Sequence, residues 1–158
     1  MLYLGLAGLI FLAELAIKEF IERKKVEKEE EKILGDKVVL TKYHNEGAFL
    51  NAGDDRRETI AATSVVLTTI CVAGFLITLC KQGREGLKLG LALLTGGALS
   101  NTYDRLVRKY VVDYLRLPVK NQKINRIVFN ISDFCIVVGS FLTAICSGQD
   151  GKKKKKKK

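Results

Sequence analysis

Three acidic residues stand in or beside apolar runs of the chain: Asp104, Asp113 and Asp133. An ionisable side chain in the middle of a membrane helix costs about 3 kcal/mol even on the lowest scales, so a functional role is the default expectation. Two of the three close the same four-residue pattern, Asn101-x-x-Asp104 and Asn130-x-x-Asp133. The types and spacing of these residues indicate a carboxylate site at one face of a membrane.

Local structure accounts for the three acids unequally. Asn130 is a preferred helix N-cap, and an acid three residues later favours a helix start, which explains Asn130 better than Asp133. Asp104 lies towards the end of a helix, where negative charge opposes the helix dipole. Pairing with Arg105, or with a neighbouring helix, is the simplest reason for it. Nothing in local structure calls for Asp113.

If Asp113 and Asp133 converge, they could perform acid–base chemistry on a peptide bond. Two like charges in close proximity do not both ionise readily, so the pair would share one proton. One carboxylate would take a proton from an attacking water, and the protonated one would donate to the carbonyl oxygen and then to the leaving amine. From the residues alone, a catalytic pair and a structural polar cluster are equally supported interpretations.

Other kinds of catalytic site have less support. The single histidine, His44, argues against Ser-His-Asp and Cys-His enzymes and excludes two-histidine zinc motifs. The four cysteines lie in apolar blocks at separations that match no metal-ligand pattern. Glu14 and Lys18 share one helix face and can pair, which the spacing favours over direct chemistry. We therefore expect no metal and no cofactor.

Four apolar blocks could position the acids at a membrane. The chain has 158 residues, of which 47% are hydrophobic, and this length allows one domain. Residues 60–80 and 127–147 reach the length of about 20 residues that a crossing helix needs. Residues 2–17 and 89–103 need flanking residues, with lysines such as Lys18 snorkelling to the interface. We predict an α-helical polytopic membrane protein with four transmembrane helices, at about 2–20, 58–80, 87–106 and 128–148.

The charge distribution bears on orientation. The formal net charge is +10, and seven positive charges form the terminal run Lys152–Lys158. Next to a membrane helix, such a lysine tail marks the cytoplasmic side more often than it binds nucleic acid, although a tag from cloning is an alternative. With four spans, both termini would be cytoplasmic and the acids would lie near the outer face. Charge counting alone leaves the orientation open, because the segments assigned to the outside also carry many Lys and Arg residues.

The segments between the spans have distinct characters. Residues 19–36 are dense in both signs of charge, which favours a solvated continuation of the first helix. The β-branched run 37–43 predicts a strand, with a turn and a return strand across 44–50. We expect an extracytoplasmic β-platform at about 37–52. The polar loop 114–126 serves equally well as a lid or as a plain connector.

Five blocks in order along the chain resemble lipoprotein signal peptidase, the signal peptidase II family of bacterial membrane aspartic peptidases. Glu14-x-x-x-Lys18 is similar to the family's Asp-x-x-x-Lys, and residues 45–49 are similar to Asn-x-Gly-Ala-Ala-Phe. Residues 97–105 resemble Gly-Ala-x-Gly-Asn-x-x-Asp-Arg, residues 110–114 resemble Tyr-Val-Val-Asp-Phe, and residues 129–133 resemble Phe-Asn-x-Ala-Asp. Each block alone is weak evidence, but their common order is specific.

The resemblance implies a reaction and a set of site residues. The reaction removes the signal peptide of a diacylglyceryl-modified prolipoprotein, on the N-terminal side of the lipidated cysteine. Asp113 and Asp133 would be the catalytic dyad that activates water, and the loop 114–126 would be a flap over the substrate. The supporting, substrate-binding positions fall on Asn45, Gly47, Asn101, Asp104, Arg105, Asn130, Glu14 and Lys18.

The chain departs from the family pattern at a few positions. Glu14 replaces Asp, Ser100 replaces Gly and Ser132 replaces Ala, and the Asn45 motif is one Ala shorter. Neither acid of the dyad is lost, and we expect Ser132 to be the replacement most able to alter hydrogen bonding there. These departures motivate the alternative of a catalytically silent relative that binds lipidated precursors or a membrane partner. A small ion carrier is disfavoured because the polar residues gather at one face.

The expected protein is a multi-pass, monomeric enzyme of the cell membrane. A single peptidase domain would occupy residues 1–151, and the lysine tail would occupy 152–158. Its partners would be the lipid-modified prolipoprotein and the surrounding membrane lipids, with no nucleic acid.

Overall fold

The computed structural model describes residues 1–27, 29–47, 56–119 and 125–155, from residue 149 onwards by the backbone alone. Within these residues lie four long helices, α1 (Leu2–Lys24), α2 (Arg57–Leu79), α3 (Glu85–Val107) and α4 (Ile131–Lys155). Four strands complete the described fold, β1 (Glu31–Ile33), β2 (Val38–Asn45), β3 (Val111–Arg116) and β4 (Val128–Phe129).

Among the described helices, α2 and the Ile131–Gly148 part of α4 are long and apolar enough to cross a membrane. Their mean hydropathies are 2.3 and 1.7, and only 11% of each window is buried inside the protein. Large side chains such as Val66 and Phe141 point away from the core, which suits contact with lipid chains. These are the two blocks whose apolar length meets the spanning criterion in the sequence.

Helix α3 is the centre of the helical layer, because it packs against α1, α2 and α4. Small residues allow these close approaches. A Cβ atom on Gly97 would lie 2.5 Å from the backbone oxygen of Ser132, and one on Gly139 would lie 2.5 Å from the backbone nitrogen of Leu94. The α3 and α4 backbones are therefore in near contact, which brings the end of α3 beside the beginning of α4.

The strands form one antiparallel sheet in the order β1-β2-β3-β4. In the register between β2 and β3, Tyr43 lies opposite Asp113. The sheet is attached to the C-terminal end of α1 through a buried apolar cluster of Ile21, Val112 and Tyr114. The central strand β3 is thus held between α1 and the rest of the sheet, with its first four residues buried.

The segment after α1 differs from the expectation in two places. The helix continues only to Lys24, and the charged segment then contributes β1, whose Glu31 pairs with Leu40 of β2. The turn between them uses positive φ angles at Leu34, Gly35 and Asp36. The strand predicted at 37–43 is confirmed as β2, which extends to Asn45 because pairing with β3 outweighs the local turn composition at 44–45.

Several sequence predictions fall wholly or partly outside the described residues. These are the return strand and platform from residue 48 onwards, the middle of the loop 114–126 at 120–124, and the end of the lysine tail at 156–158. The described residues before the gap in that loop continue β3 to Arg116. The described part of the lysine tail continues the backbone of α4 to Lys155.

Candidate active site

Asp113 is presented by β3 and is only 2% exposed. Its two carboxyl oxygens accept hydrogen bonds from two asparagine amides. Oδ1 accepts from Asn130 Nδ2 at 2.7 Å, and Oδ2 accepts from Asn45 Nδ2 at 3.0 Å. Asn45 Oδ1 is buried and has no partner among the described residues, and Asn45 itself lines a cavity. The side-chain amide of Asn45 therefore orients Asp113 through Nδ2, while its Oδ1 remains available to another donor.

Asp133 stands in the first turn of α4, where it takes part in a reciprocal cap. Asn130 Oδ1 accepts from the backbone nitrogen of Asp133, and Asp133 Oδ2 accepts from the backbone nitrogen of Asn130, both at 3.0 Å. The expected N-cap role of Asn130 is confirmed. The same side chain also donates to Asp113, so Asn130 links the two acids directly through its amide.

The two acids line one cavity of about 580 Å³, together with Arg105. Side chains of α2 and α4 supply much of its apolar wall, including Leu67 and Ile136. Burial is the main cause that raises the pKa of Asp113 from 3.8 to about 7, and the negative charge of Asp133 adds to it. Near neutral pH, Asp113 is thus able to hold or release a proton while facing a second carboxyl group.

Lys18 orients the amide that holds Asp133. Its ammonium is fully buried and donates to Asn101 Oδ1 at 2.8 Å and to Ser100 Oγ at 2.9 Å. With its oxygen held in this way, Asn101 directs Nδ2 to Asp133 Oδ1 at 2.8 Å. The expectation that Lys18 snorkels to the interface was wrong, because acceptors on α3 hold the ammonium inside the protein.

Asp104 is fully buried and has a structural role. Its Oδ2 atom accepts from Lys18 Nζ at 3.0 Å and from the backbone nitrogen of Val112 at 3.2 Å. Its Oδ1 atom accepts from Arg108. Within the described residues, Asp104 thus pairs with Lys18 and Arg108, while the adjacent Arg105 hydrogen-bonds elsewhere. The contact with Val112 fixes the residue that precedes Asp113.

Arg105 joins the end of α3 to the region that follows β2. Its guanidinium donates to the backbone oxygen of Asn101 at 3.3 Å and to that of Gly47 at 3.5 Å. Its positive charge acts on both Asp133 and Asp113 across the cavity. The arrangement places one cation close to the two acids, where negative charge develops if a carbonyl group is attacked.

Glu14 is the last of the residues singled out in the sequence, and its environment was not foreseen. It is 1% exposed, and its Oε2 atom lies 3.8 Å from Lys18 Nζ, so the expected pair is present but long. Its hydrogen-bond donors are Tyr114 and Ser132. Ser132 Oγ therefore bonds to Glu14 and not to Asp133. Tyr114 was not identified as a site residue, although it stands where the quoted motif has Phe.

The ten residues singled out in the sequence therefore form one connected region at the meeting point of α1, α3, α4 and the sheet. The buried Asp113 and the half-buried Asp133 face a cavity with an apolar wall, and the side chains of Asn45, Asn101 and Asn130 hold them by hydrogen bonds. This arrangement can bind an apolar ligand and place its polar end beside a pair of carboxyl groups, which is suited to proton transfer during hydrolysis.

Comparison with known proteins gives a consistent result. The sequence model of the Signal peptidase (SPase) II family matches residues 6–148. The lipoprotein signal peptidase of Moorella thermoacetica is 32% identical over 87% of this chain and 86% of its own length. The lipoprotein signal peptidase of Bacillus subtilis is 30% identical over 99% of each chain. The lipoprotein signal peptidase of Alteromonas mediterranea is 36% identical over 73% of this chain, which spans 63% of that relative.

The fold is also found among solved structures. A bacterial membrane enzyme solved by the in meso method at 2.3 Å resolution superposes with a TM-score of 0.79 at 19% identity, over 96% of this chain and 90% of that one. A second, solved by the same method at 1.9 Å resolution, gives 0.72 at 20% identity. These structures show a shared fold, and the match of the family model over residues 6–148 shows that the chain belongs to the signal peptidase II family.

Proposed function

We propose that this protein is a membrane aspartic endopeptidase that removes the signal peptide from diacylglyceryl-modified prolipoproteins, cutting before the lipidated cysteine. The observation that carries the proposal is the convergence of Asp113 and Asp133 on one cavity with an apolar wall. Membership of the signal peptidase II family supports the reaction class. The apolar side chains of α2 and α4 in the cavity wall can bind the acyl chains of the substrate. The two acids can then act on its scissile peptide bond.

In the proposed mechanism, Asp113 holds the proton that the pair shares. Its raised pKa of about 7 supports this assignment, because the protonated form is then well populated near neutral pH. Asp133 takes a proton from a water molecule as the water oxygen bonds to the scissile carbonyl carbon. Asp113 donates its own proton to the carbonyl oxygen. The products of this step are a neutral tetrahedral diol, a protonated Asp133 and an ionised Asp113.

Collapse of the diol completes the cycle. A hydroxyl proton returns to Asp113 as the carbonyl re-forms, and Asp133 gives its proton to the leaving nitrogen as the C–N bond breaks. Arg105 stabilises the developing negative charge near the acids. Asn45 Oδ1, which has no partner among the described residues, accepts a backbone N–H of the substrate and so fixes the register of the peptide.

The proposed arrangement in the membrane has four spans and a single peptidase domain over residues 1–151. Both termini lie in the cytoplasm, and the acids lie near the outer face with the sheet beside them. The loop 114–126 closes over the substrate as a flap. The protein acts as a monomer in contact with membrane lipids, and α2 and α4 present their apolar side chains to those lipids.

The test is cleavage of a synthetic lipidated precursor by purified protein in proteoliposomes. Asp113→Asn and Asp133→Asn should each lower the rate by about 10²–10⁴-fold, the usual contribution of a positioned acid or base. Asp36→Asn is the matched control, because Asp36 lies in the exposed turn between β1 and β2. If both site variants still process the precursor at the wild-type rate, the dyad assignment is wrong. A wild-type protein that binds precursor without cutting it would instead support the catalytically silent alternative.

A further inference from the structure

Two side chains next to the proposed dyad, those of Tyr114 and Ser132, meet at one buried carboxylate, that of Glu14. Glu14 of α1 accepts from the Tyr114 hydroxyl on Oε1. On Oε2 it accepts from Ser132 Oγ at 2.8 Å and from the Ser132 backbone nitrogen at 3.1 Å. We call Glu14, Tyr114 and Ser132 the Glu14 cluster. It lies outside the described cavity lining, so its members do not face the ligand space.

The Glu14 cluster is joined to both acids through the main chain. Tyr114 follows Asp113 on β3, and successive strand residues point to opposite faces, so anchoring Tyr114 against α1 fixes the direction of Asp113. Ser132 precedes Asp133 in the first turn of α4. One carboxylate on α1 therefore holds the neighbour of each acid and sets the position of β3 relative to α4.

The cluster also completes the N-terminus of α4, whose first backbone N–H groups have no partner within the helix. Ile131 N donates to the Tyr114 hydroxyl oxygen at 3.4 Å, and Ser132 N donates to Glu14. The next nitrogen, that of Asp133, is capped by Asn130. A carboxylate at this position is also favoured by the helix dipole. The turn that carries Asp133 is thus built by residues from α1 and β3.

The sequence gives a second reason to treat these residues as a set. All three stand where the motifs quoted above have another residue, namely Glu for Asp, Tyr for Phe and Ser for Ala. Phe at 114 has no hydroxyl to donate, and Ala at 132 has no Oγ. A shorter acid at position 14 would need the chain to move to reach both donors. Tyr114 and Ser132 each bond a different oxygen of Glu14, so the hydrogen bonds of both replacements depend on the carboxylate at position 14.

We propose that Glu14, Tyr114 and Ser132 are positioning residues, coupled through the Glu14 carboxylate, that set the relative orientation of Asp113 and Asp133. This proposal rests on the proposed peptidase function, since cleavage is its readout. The cluster lies outside the lining of the cavity. It acts on the turnover step by holding the two acids at the separation and angle that proton transfer requires.

The experiment compares Glu14→Asp, Tyr114→Phe and Ser132→Ala with the triple variant in the proteoliposome assay. Each single change should lower kcat by about 10- to 100-fold with KM within about twofold of wild type, the scale expected of a small misplacement of reacting groups. The triple variant should lose far less than the product of the three single losses. The basic limb of the pH–rate profile should move in the single variants, because the surroundings of Asp113 change.

Matched controls come from the opposite end of the bundle, where the Tyr3 hydroxyl bonds Glu85. Tyr3→Phe and Glu85→Asp repeat two of the changes without contact with the site. Thr69→Ala removes a hydroxyl that bonds its own helix at Val65. All three should cleave at the wild-type rate.

Three outcomes would overturn the proposal. The first is an unchanged kcat in the single variants, and the second is single losses that multiply independently in the triple variant. The third is a loss explained wholly by less folded protein, with kcat per folded molecule and pH profile unchanged. Failure of the proposed function is separate, because it would be seen as no cleavage by the wild-type protein.

Discussion

Replacing the buried cation Lys18 by methionine tests how the site is held together. Methionine is unbranched and of similar length, so Lys18→Met removes the charge while filling most of the space. Three oxygen atoms on α3 lose their donor, at distances of 2.8–3.0 Å from Nζ in the wild-type protein. They belong to Ser100, Asn101 and Asp104.

The expected cost follows from the burial of this ion pair. Removing one partner of a buried pair costs about 3–5 kcal/mol, because the other charge is left without compensation. We expect a loss near the lower end, about 3 kcal/mol, because Asp104 keeps its contacts with Arg108 and with the backbone of Val112. Asn101 loses the donor that orients its amide, so Asp133 is held less well and cleavage falls as well.

The measurement is equilibrium unfolding in mixed detergent micelles, with precursor cleavage measured on the same samples. Lys88→Met is the matched control, because among the described residues Lys88 pairs with the exposed Glu85 alone, at 3.2 Å, a contact worth less than about 1 kcal/mol. The double variant Lys18→Met/Asp104→Asn should regain part of the lost stability. If Lys18→Met costs no more than the control, the buried network does not have the energetic role that its geometry implies.

Two further predictions follow from the site. Because burial raises the pKa of Asp113 to about 7, kcat/KM should fall as pH rises through 7, by about tenfold per unit if protonated Asp113 is required. The raised pKa of Asp113 also stabilises the folded state. This contribution is complete below about pH 4, near the unfolded pKa, and is lost as the pH rises to about 7. A free energy of unfolding that increases across this range would contradict the assignment. Gly97→Ala should destabilise the protein by about 1–3 kcal/mol because its Cβ would meet Ser132 O at 2.5 Å. Gly74→Ala, with no neighbour within 4 Å, should show no such loss in the same unfolding measurement.

Local patterns in the sequence were sufficient for some elements of the fold. The uncharged length of residues 60–80 predicted α2, and the run 127–147 predicted the apolar part of α4. The four-residue spacing of Glu14 and Lys18 predicted that they share a helix face, and Asn130 was expected as an N-cap. Each of these features depends on residues that are close in the chain, which is why a local pattern is enough.

Long-range pairing decided the features that the sequence did not reveal. The charged composition before Gly35 favours helix, but pairing with β2 makes a strand of Glu31–Ile33. For Asp104 the sequence left open Arg105 or a neighbouring helix as the partner. Consecutive residues of a helix point in different directions, so the partners are Arg108, one turn away, and Lys18 of the neighbouring α1. The role of Tyr114 depends on a carboxylate 100 residues away.

The contacts of α1 have a consequence for the order in which the protein is made. Glu14 and Lys18 are synthesised first, whereas their partners Asn101, Tyr114 and Ser132 follow 83, 100 and 118 residues later. Until α3, β3 and the start of α4 arrive, each of the two early charges has mainly the other, four positions away, for compensation. The geometry of the acids therefore emerges only with the finished chain, and a nascent fragment lacks an assembled site.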